Sequence, residues 1–354
     1  MTFYNSYDDD EAFLHTFHYA SCALGSAAVS AALELDIFGI IGRASAQISA
    51  TEIASQFPKK NPNTASNLDR VLSLLVTGSF LTCTTRTLED GSLERIYGLA
   101  PAAKYLTPNA NGGSLSPFFA LANSKTMTGS WAQLKDMIIE GGDQFKKLNG
   151  VSLYEYLNKE AKFKDIFDKS MAGCASITMT KILKEYKGFE GLTSLADVGG
   201  GNGITLSRII SNYPSIKGIN FDLPRVIKTA PPYPGIEHVE GDMFVSVPKA
   251  DAIILKNVLH NWSDEICLKL LNNCYEALPE NGKIVIITMV PFEVPDTSLA
   301  SKCLATVDCI MLLQLAGRER SEKELESLCM TAGFSKFQIA CSAYGMWSVV
   351  EFHK

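Results

Sequence analysis

LADVGGGNG (Leu195–Gly203), NFDLP (Asn220–Pro224), EGDMF (Glu240–Phe244) and ILKNVLHNW (Ile254–Trp262) follow one another in the second half of the chain. Each is a short apolar run that ends in Gly, Asp or a polar turn, the form of buried parallel strands whose carboxyl ends carry a site. From Gly188 onward, strand and helix patterns alternate to the end, so this half reads as an α/β domain with a mostly parallel sheet. A ligand in such a sheet sits beyond the carboxyl ends, where the strand order reverses. The stretch therefore places a cofactor first and His260 beside it.

The glycines of Gly199-Gly-Gly-Asn-Gly203 follow a strand (SLADV) and precede a helix (ITLSRIISNY), and they let backbone amides approach a ligand closely. Asp222 ends the next strand, about 20 residues on, where a carboxylate accepts from both hydroxyls of a ribose. Asp242 is expected to end the strand after that, with the Met243 thioether beside it, a pairing that suits an adenine. The pattern is neither the dinucleotide GxGxxG nor a P-loop with its Lys-Ser/Thr. Three acidic strand ends and a loop without basic residues favour a neutral or cationic nucleoside, and S-adenosylmethionine (SAM) fits. His260 follows the strand AIILK and stands before Trp262 and the capping Ser263. An imidazole there can act as a base at physiological pH.

Working back from this stretch, residues 102–185 read as helical, with loops at Pro108–Gly113 and Gly141–Asp143. Phe163, Phe167, Met171 and Cys174 recur there at helical spacing, as core or as one wall of a substrate pocket. Residues 11–40 carry small and apolar residues at helical spacing, suited to close packing, including packing between two copies of the chain. Ser49-Ala-Thr-Glu52 is a capping box. A helix follows Asn63-Thr64 with Leu68, Val71, Leu72, Leu75 and Val76 buried, and Phe80–Leu99 reads as a hairpin around Glu89-Asp90-Gly91. Helix, helix, hairpin is the order of a winged helix, but Asn67, Asp69 and Arg70 do not make the second helix basic, so DNA binding is rejected. The expected division is 1–105, a winged-helix-like domain; 106–185, a helical linker and substrate wall; and 186–354, the cofactor domain.

The 354 residues carry a formal charge of −6, which argues against nucleic acid or an anionic membrane as partner. No apolar run reaches the roughly 20 residues of a membrane span, and MTFYNSYDDDEAF lacks the features of a signal or transit peptide. Nine cysteines form no CxxC pair. Cys267, Cys274, Cys303 and Cys309 lie in apolar patterns and read as reduced core thiols of a cytoplasmic protein. His15 and His18 are a pair without a second pair, so no metal is expected.

Taken together, DEAFL, EIASQFP, LTSLADVGGGNG, YPSIKGINFDLP, HVEGDMFVSVPKADAI, HNWSDE, CYEALPENGK and RERSEKE closely resemble the plant caffeate-type O-methyltransferases, from about Asp9 to Phe352. The resemblance implies a homodimer with a winged-helix-like dimerisation domain and a SAM-binding Rossmann-like domain that ends in an antiparallel hairpin. It implies SAM contacts at Gly199, Asp222, Leu223, Asp242, Met243 and Lys256, S-adenosylhomocysteine (SAH) as product, and His260 as general base. It places one orienting acid at Glu319 and the other at 288, where this chain has Thr288. Glu293 is a nearby candidate to replace the missing acid.

The acceptor pocket implied by the resemblance comprises Leu121, Leu157, Phe163, Phe167, Met171, Cys174, Ile310, Met311 and Leu315. Leu157 and Cys174 stand where the family has histidines, Leu315 where it has an asparagine, and Ala122 where it has a polar side chain. Fewer hydrogen-bonding groups predict a more apolar acceptor than caffeate: a phenylpropanoid, flavonoid, coumarin or alkaloid hydroxyl. Because one acid is absent, N-methylation of an arylamine, or a cyclisation or rearrangement that uses SAM without methyl transfer, stands as the alternative. A SAM-binding partner subunit without activity is the non-enzymatic reading.

Overall fold

The computed structural model describes residues 9–58, 61–109 and 111–354. Outside them lie the first eight residues of the acidic N-terminal stretch and Ala110 of the Pro108–Gly113 loop. The described chain divides into two compact units, one running up to Met127 and including Ile166–Gly173, the other formed by Thr128–Asp165 and Cys174–Lys354. Residues 106–185 are thus shared between the units, and the 25-residue helix Ala161–Glu185 contributes to both.

In the first unit the helical stretch 11–40 is broken into α1 (Asp9–Ser21), α2 (Ala23–Glu34) and α3 (Ile37–Arg43). Asp36 makes the second break, with a left-handed φ of 52°. Helices α2 and α3 bury Ala28, Val29, Ala32, Ile37, Phe38, Ile40 and Ile41, while α1 buries nothing. The capping box forms as expected: the Glu52 N–H donates to the Ser49 hydroxyl, and the Ser49 N–H to the Glu52 carboxylate at 2.5 Å. It starts α4 (Ala50–Ala54) straight from the short strand β1 (Ile48–Ser49), and α5 (Thr64–Thr77) buries Leu68, Leu72 and Leu75. The hairpin of β2 (Leu81–Thr87) and β3 (Leu93–Leu99) completes an antiparallel sheet in the order β1-β3-β2, a winged-helix arrangement.

The second unit is built on seven strands: β4 (Ser194–Val198), β5 (Lys217–Asp222), β6 (Ile236–Glu240), β7 (Ala252–Lys256), β8 (Lys283–Met289), β9 (Lys336–Ala343) and β10 (Trp347–His353). Their order is β6-β5-β4-β7-β8-β10-β9; the first five run parallel, and β10 is antiparallel to both its neighbours. The chain leaves β4 toward β5 and β6, then returns to place β7 on the other side of β4. The switch point therefore lies between the carboxyl ends of β4 and β7, where Gly199 and the turn to His260 begin. Helices cover both faces, which is why residues 252–255 of β7 are apolar and buried without alternation. On one face the helix Asp264–Ala277 packs Cys267, Leu270, Leu271 and Cys274; on the other lie Leu206, Ile209 and Ile210.

All nine cysteines are free. Cys267 and Cys274 belong to the core as their pattern suggested, but Cys303 is only half-buried and Cys309 is exposed, because the helix Leu299–Leu315 is apolar beyond its buried face. No single helix among the described residues is long and apolar enough to cross a membrane.

Candidate active site

The glycine loop after β4 adopts backbone that side chains resist: φ is 72° at Gly199, 59° at Gly201 and 83° at Gly203. Gly200 is excluded from substitution by contact instead, since a Cβ there would run into Asn220 Oδ1 and the Asp197 carboxyl. Asp222 reaches back from β5 to this loop. Its Oδ2 accepts the Gly201 N–H at 2.9 Å and its Oδ1 the Leu223 N–H at 2.7 Å. Each oxygen keeps a lone pair for a further donor. Strand β6 ends at Glu240, so Asp242 and Met243 stand in the loop beyond it rather than at its last residue. There the Phe244 N–H caps Asp242 Oδ1 at 2.9 Å, and the Asn273 amide holds the Met243 carbonyl at 2.8 Å.

Beneath the loop lie two ionisable groups, Asp197 buried and Lys256 half-buried. Burial pushes the Asp197 carboxyl up to about 7, against the pull of Lys256 and with the Asp222 charge adding to the rise. Burial also pushes the Lys256 ammonium down, with Asp197 and Cys174 opposing. For each, loss of hydration outweighs the attraction of its partner. Asp197 Oδ2 makes no hydrogen bond. The Lys256 ammonium lies 5.2 Å from the centre of the Trp347 ring. Burial raises the Cys174 thiol to about 11, so it is a neutral thiol rather than a nucleophile.

One strand over, Asn257 takes a left-handed φ of 56° and turns the chain out of β7 into the 3-10 turn Leu259–Asn261. His260 Nδ1 lies 2.6 Å from Glu319 Oε1, and Glu319 is only 5% exposed. A buried carboxylate only accepts, so Nδ1 carries the proton and Nε2 is left bare. Thr288 does not bond the imidazole. Its hydroxyl donates to the other oxygen, Glu319 Oε2, at 3.3 Å. Glu293 is exposed in the loop after β8, and no hydrogen bond or ion pair joins it to His260. Among the described residues one carboxylate alone therefore orients the ring.

Sequence reasoning missed the residues that hold this pair. The buried Arg320 guanidinium donates to the Leu259 carbonyl at 2.7 Å, the Trp262 carbonyl at 2.6 Å and Asp264 Oδ1 at 2.8 Å. The Arg318 N–H donates to the His260 carbonyl at 2.9 Å, and Asp308 Oδ1 accepts the Glu319 N–H at 2.7 Å. Burial and the Glu319 charge raise the Asp308 carboxyl while that N–H lowers it, burial being the largest influence. Arg320 follows Glu319 directly in RERSEKE and was open to notice; Asp308, eleven residues upstream, has no spacing that announces it.

The residues expected to line the acceptor pocket fall in different places. Leu121 is buried in the first unit, with Ala122, Phe167 and Met171 half-buried there. In the second unit Leu157 and Phe163 are buried, and the Phe163 ring meets Tyr156 edge-on at 5.4 Å, which meets Phe145 at 5.5 Å. Phe163 therefore also takes part in a packed aromatic cluster. Cys174, Ile310, Met311 and Leu315 are half-buried.

A doubly wound sheet with a glycine cradle at its switch point belongs to the Rossmann-like, nucleoside-binding class of enzymes. Two family models match the chain, an O-methyltransferase domain over residues 131–335 and an O-methyltransferase dimerisation domain over residues 17–109. Caffeic acid 3-O-methyltransferase of Capsicum annuum is 51% identical over 98% of this chain and 97% of its own length. The corresponding protein of Medicago sativa is 48% identical over 98% and 95%. The chain belongs to the O-methyltransferase family, whose members draw their methyl group from SAM. Among solved structures, human N-acetylserotonin methyltransferase in complex with SAM shares the fold with a TM-score of 0.80, at 24% identity over 99% of both chains. CalO1 in its SAH-bound form matches equally, at 23% identity over 98% of this chain and 99% of that one.

Proposed function

We propose that this protein transfers the methyl group of SAM to an aromatic hydroxyl of a fairly apolar plant secondary metabolite, with His260 as general base. The observation that carries the reading is the His260–Glu319 pair: a carboxylate on Nδ1 fixes the tautomer that leaves Nε2 free to take a proton. The residues at the loop suit a nucleoside bearing a sulfonium. The glycines leave room for close approach, Asp222 retains acceptor capacity for ribose hydroxyls, and acidic groups predominate. Gly199, Asp222, Leu223, Asp242, Met243 and Lys256 would hold it. When bound, SAM supplies an electrophilic methyl on a positively charged sulfur.

The chain's own work is to hold the acceptor oxygen and to remove its proton. Nε2 of His260 takes the phenolic proton as the oxygen becomes nucleophilic, and the buried Glu319 carboxylate stabilises the imidazolium that results. Thr288 keeps the second Glu319 oxygen engaged and acts on the base through Glu319. Leu157, Cys174 and Leu315 offer an acceptor few hydrogen bonds, which disfavours polar substituents that would be buried unpaired. The protein works as a homodimer: Phe13, Leu14 and Phe17 of α1 are each more than 60% exposed, an apolar stripe on one face that a second copy would cover.

The reading is tested by incubating the purified protein with SAM and a mixed panel of phenols and arylamines, followed by mass spectrometry. O-methylated product formed together with SAH is the expected result. N-methylated product would move the assignment to the arylamine reading, which draws on the single carboxylate at His260. SAM left intact with every acceptor ignored would overturn both.

A further inference from the structure

The glycine loop rests on two polar side chains that the reaction does not use. Asn220, in β5, is fully buried, and its Nδ2 faces two acceptors: the Gly201 carbonyl at 3.0 Å and His238 Nδ1 at 3.0 Å. His238, in β6, has its other ring nitrogen, Nε2, 2.9 Å from the Pro231 carbonyl. A carbonyl only accepts, so Pro231 requires the proton on Nε2 and leaves Nδ1 of the neutral ring as an acceptor. The Gly201 carbonyl in turn requires the amino side of the Asn220 amide. The two requirements agree, because Asn220 has one amino hydrogen for each acceptor. Its Oδ1 faces Gly200 and has no partner. Gly203 also lies beside the ring, since a Cβ on it would come to 3.3 Å from His238 Cε1.

Gly201 is thus gripped at both polar ends, its C=O by Asn220 and its N–H by the Asp222 carboxylate. Rotation of the Asn220 amide would set Oδ1 against the Gly201 carbonyl, tilt that residue and withdraw the N–H from Asp222. We infer that Asn220 and His238 form a positioning bracket for the nucleoside cofactor: the His238 tautomer fixes the Asn220 amide, and the amide fixes the loop that presents Asp222. This rests on the reading of the loop as the cofactor site.

The bracket makes a prediction that side-chain size alone does not. An Asn at 238 puts an acceptor where Nδ1 stands, whereas a Gln puts its polar group where Nε2 stands and leaves Asn220 unpaired. The experiment is calorimetric titration of SAH into the full-length protein and its variants, with the melting temperature of each recorded. Wild type should bind. Asn220→Asp, which turns a donor into an anionic acceptor facing two other acceptors, should bind roughly tenfold weaker or worse. His238→Asn should stay within about threefold of wild type, and His238→Gln should weaken about tenfold despite its closer match in length. Equal binding by His238→Asn and His238→Gln would overturn the bracket, and this pair decides the matter if Asn220→Asp does not fold. Full-strength binding by a folded Asn220→Asp would overturn it too. Failure of the wild type to bind SAH would overturn the cofactor reading of the loop, and the bracket with it.

Discussion

At the end of β7 a side chain is the thing held, and at the end of β4 it is the backbone. His260 is fixed from outside its own segment: Glu319 takes its ring, while Arg318 and Arg320 take the carbonyls of residues 259, 260 and 262. One stretch of chain, 318–320, therefore sets both the ring and the turn that carries it. The glycine loop has no side chains to offer beyond Asn202, so its neighbours hold its peptides through Asn220 and Asp222. On the proposed reading His260 stands where one proton must leave, and loss of its carboxylate would cost directly in rate. On the same reading the loop has a whole nucleoside to fit, and a fault there would cost in affinity. The two assemblies should separate cleanly when damaged: kcat for the first, cofactor affinity for the second.

The largest effect expected is on the base. His260→Ala should lower kcat by roughly 10² to 10⁴ with an ordinary phenol, leaving SAH affinity by calorimetry near wild type. Glu319→Gln should lower kcat roughly tenfold to a hundredfold, the worth of a charged hydrogen bond to the imidazole. The double variant should be little worse than His260→Ala, because Glu319 acts through the ring. Additive losses would show that Glu319 has a separate role.

A smaller effect belongs to Thr288. Thr288→Val keeps the shape and removes the donor to Glu319 Oε2, and should lower kcat about threefold. An unchanged rate would show that Glu319 is held well enough by its other contacts. An effect on SAH affinity instead would break the separation between the two assemblies.

The smallest effect is one of stability beneath the loop. Burial raises the Asp197 carboxyl from 3.8 to about 7, so the folded state binds its proton more tightly than the unfolded state does. Its contribution is therefore fully present below about 4 and is lost as pH rises through about 7. Asp197→Asn carries no such proton, and its melting temperature should change less between mildly acidic and mildly alkaline buffer than that of the wild type. Parallel melting curves across that range would show that Asp197 is compensated by Lys256.

Much of the scaffold was legible because short-range chemistry dictates it. Apolar runs ending in Gly, Asp or a polar turn became β4, β5 and β7, and Ser49 with Glu52 became a capping box. His260 was readable from its place after the strand AIILK, whereas Glu319 was named only through the resemblance to the caffeate-type enzymes. What escaped depended on chain partners far apart in sequence. Thr288 was expected at the imidazole, but the strand β8 places its hydroxyl on Glu319 Oε2 instead. Asn220 and His238 sit in neighbouring strands and carry no motif that links them; the β5–β6 register brings them together. Phe163 also packs on Tyr156, which meets Phe145, a cluster that periodicity alone did not announce.

The most direct test of His260 as the base is to compare wild type and His260→Ala on two acceptors, an ordinary phenol and a ring-nitrated phenol already ionised at the assay pH. An ionised oxygen has no proton to lose. The variant should therefore be severely impaired on the first acceptor and close to wild type on the second. Equal impairment on both would contradict the role of base and leave His260 a residue that only shapes the site.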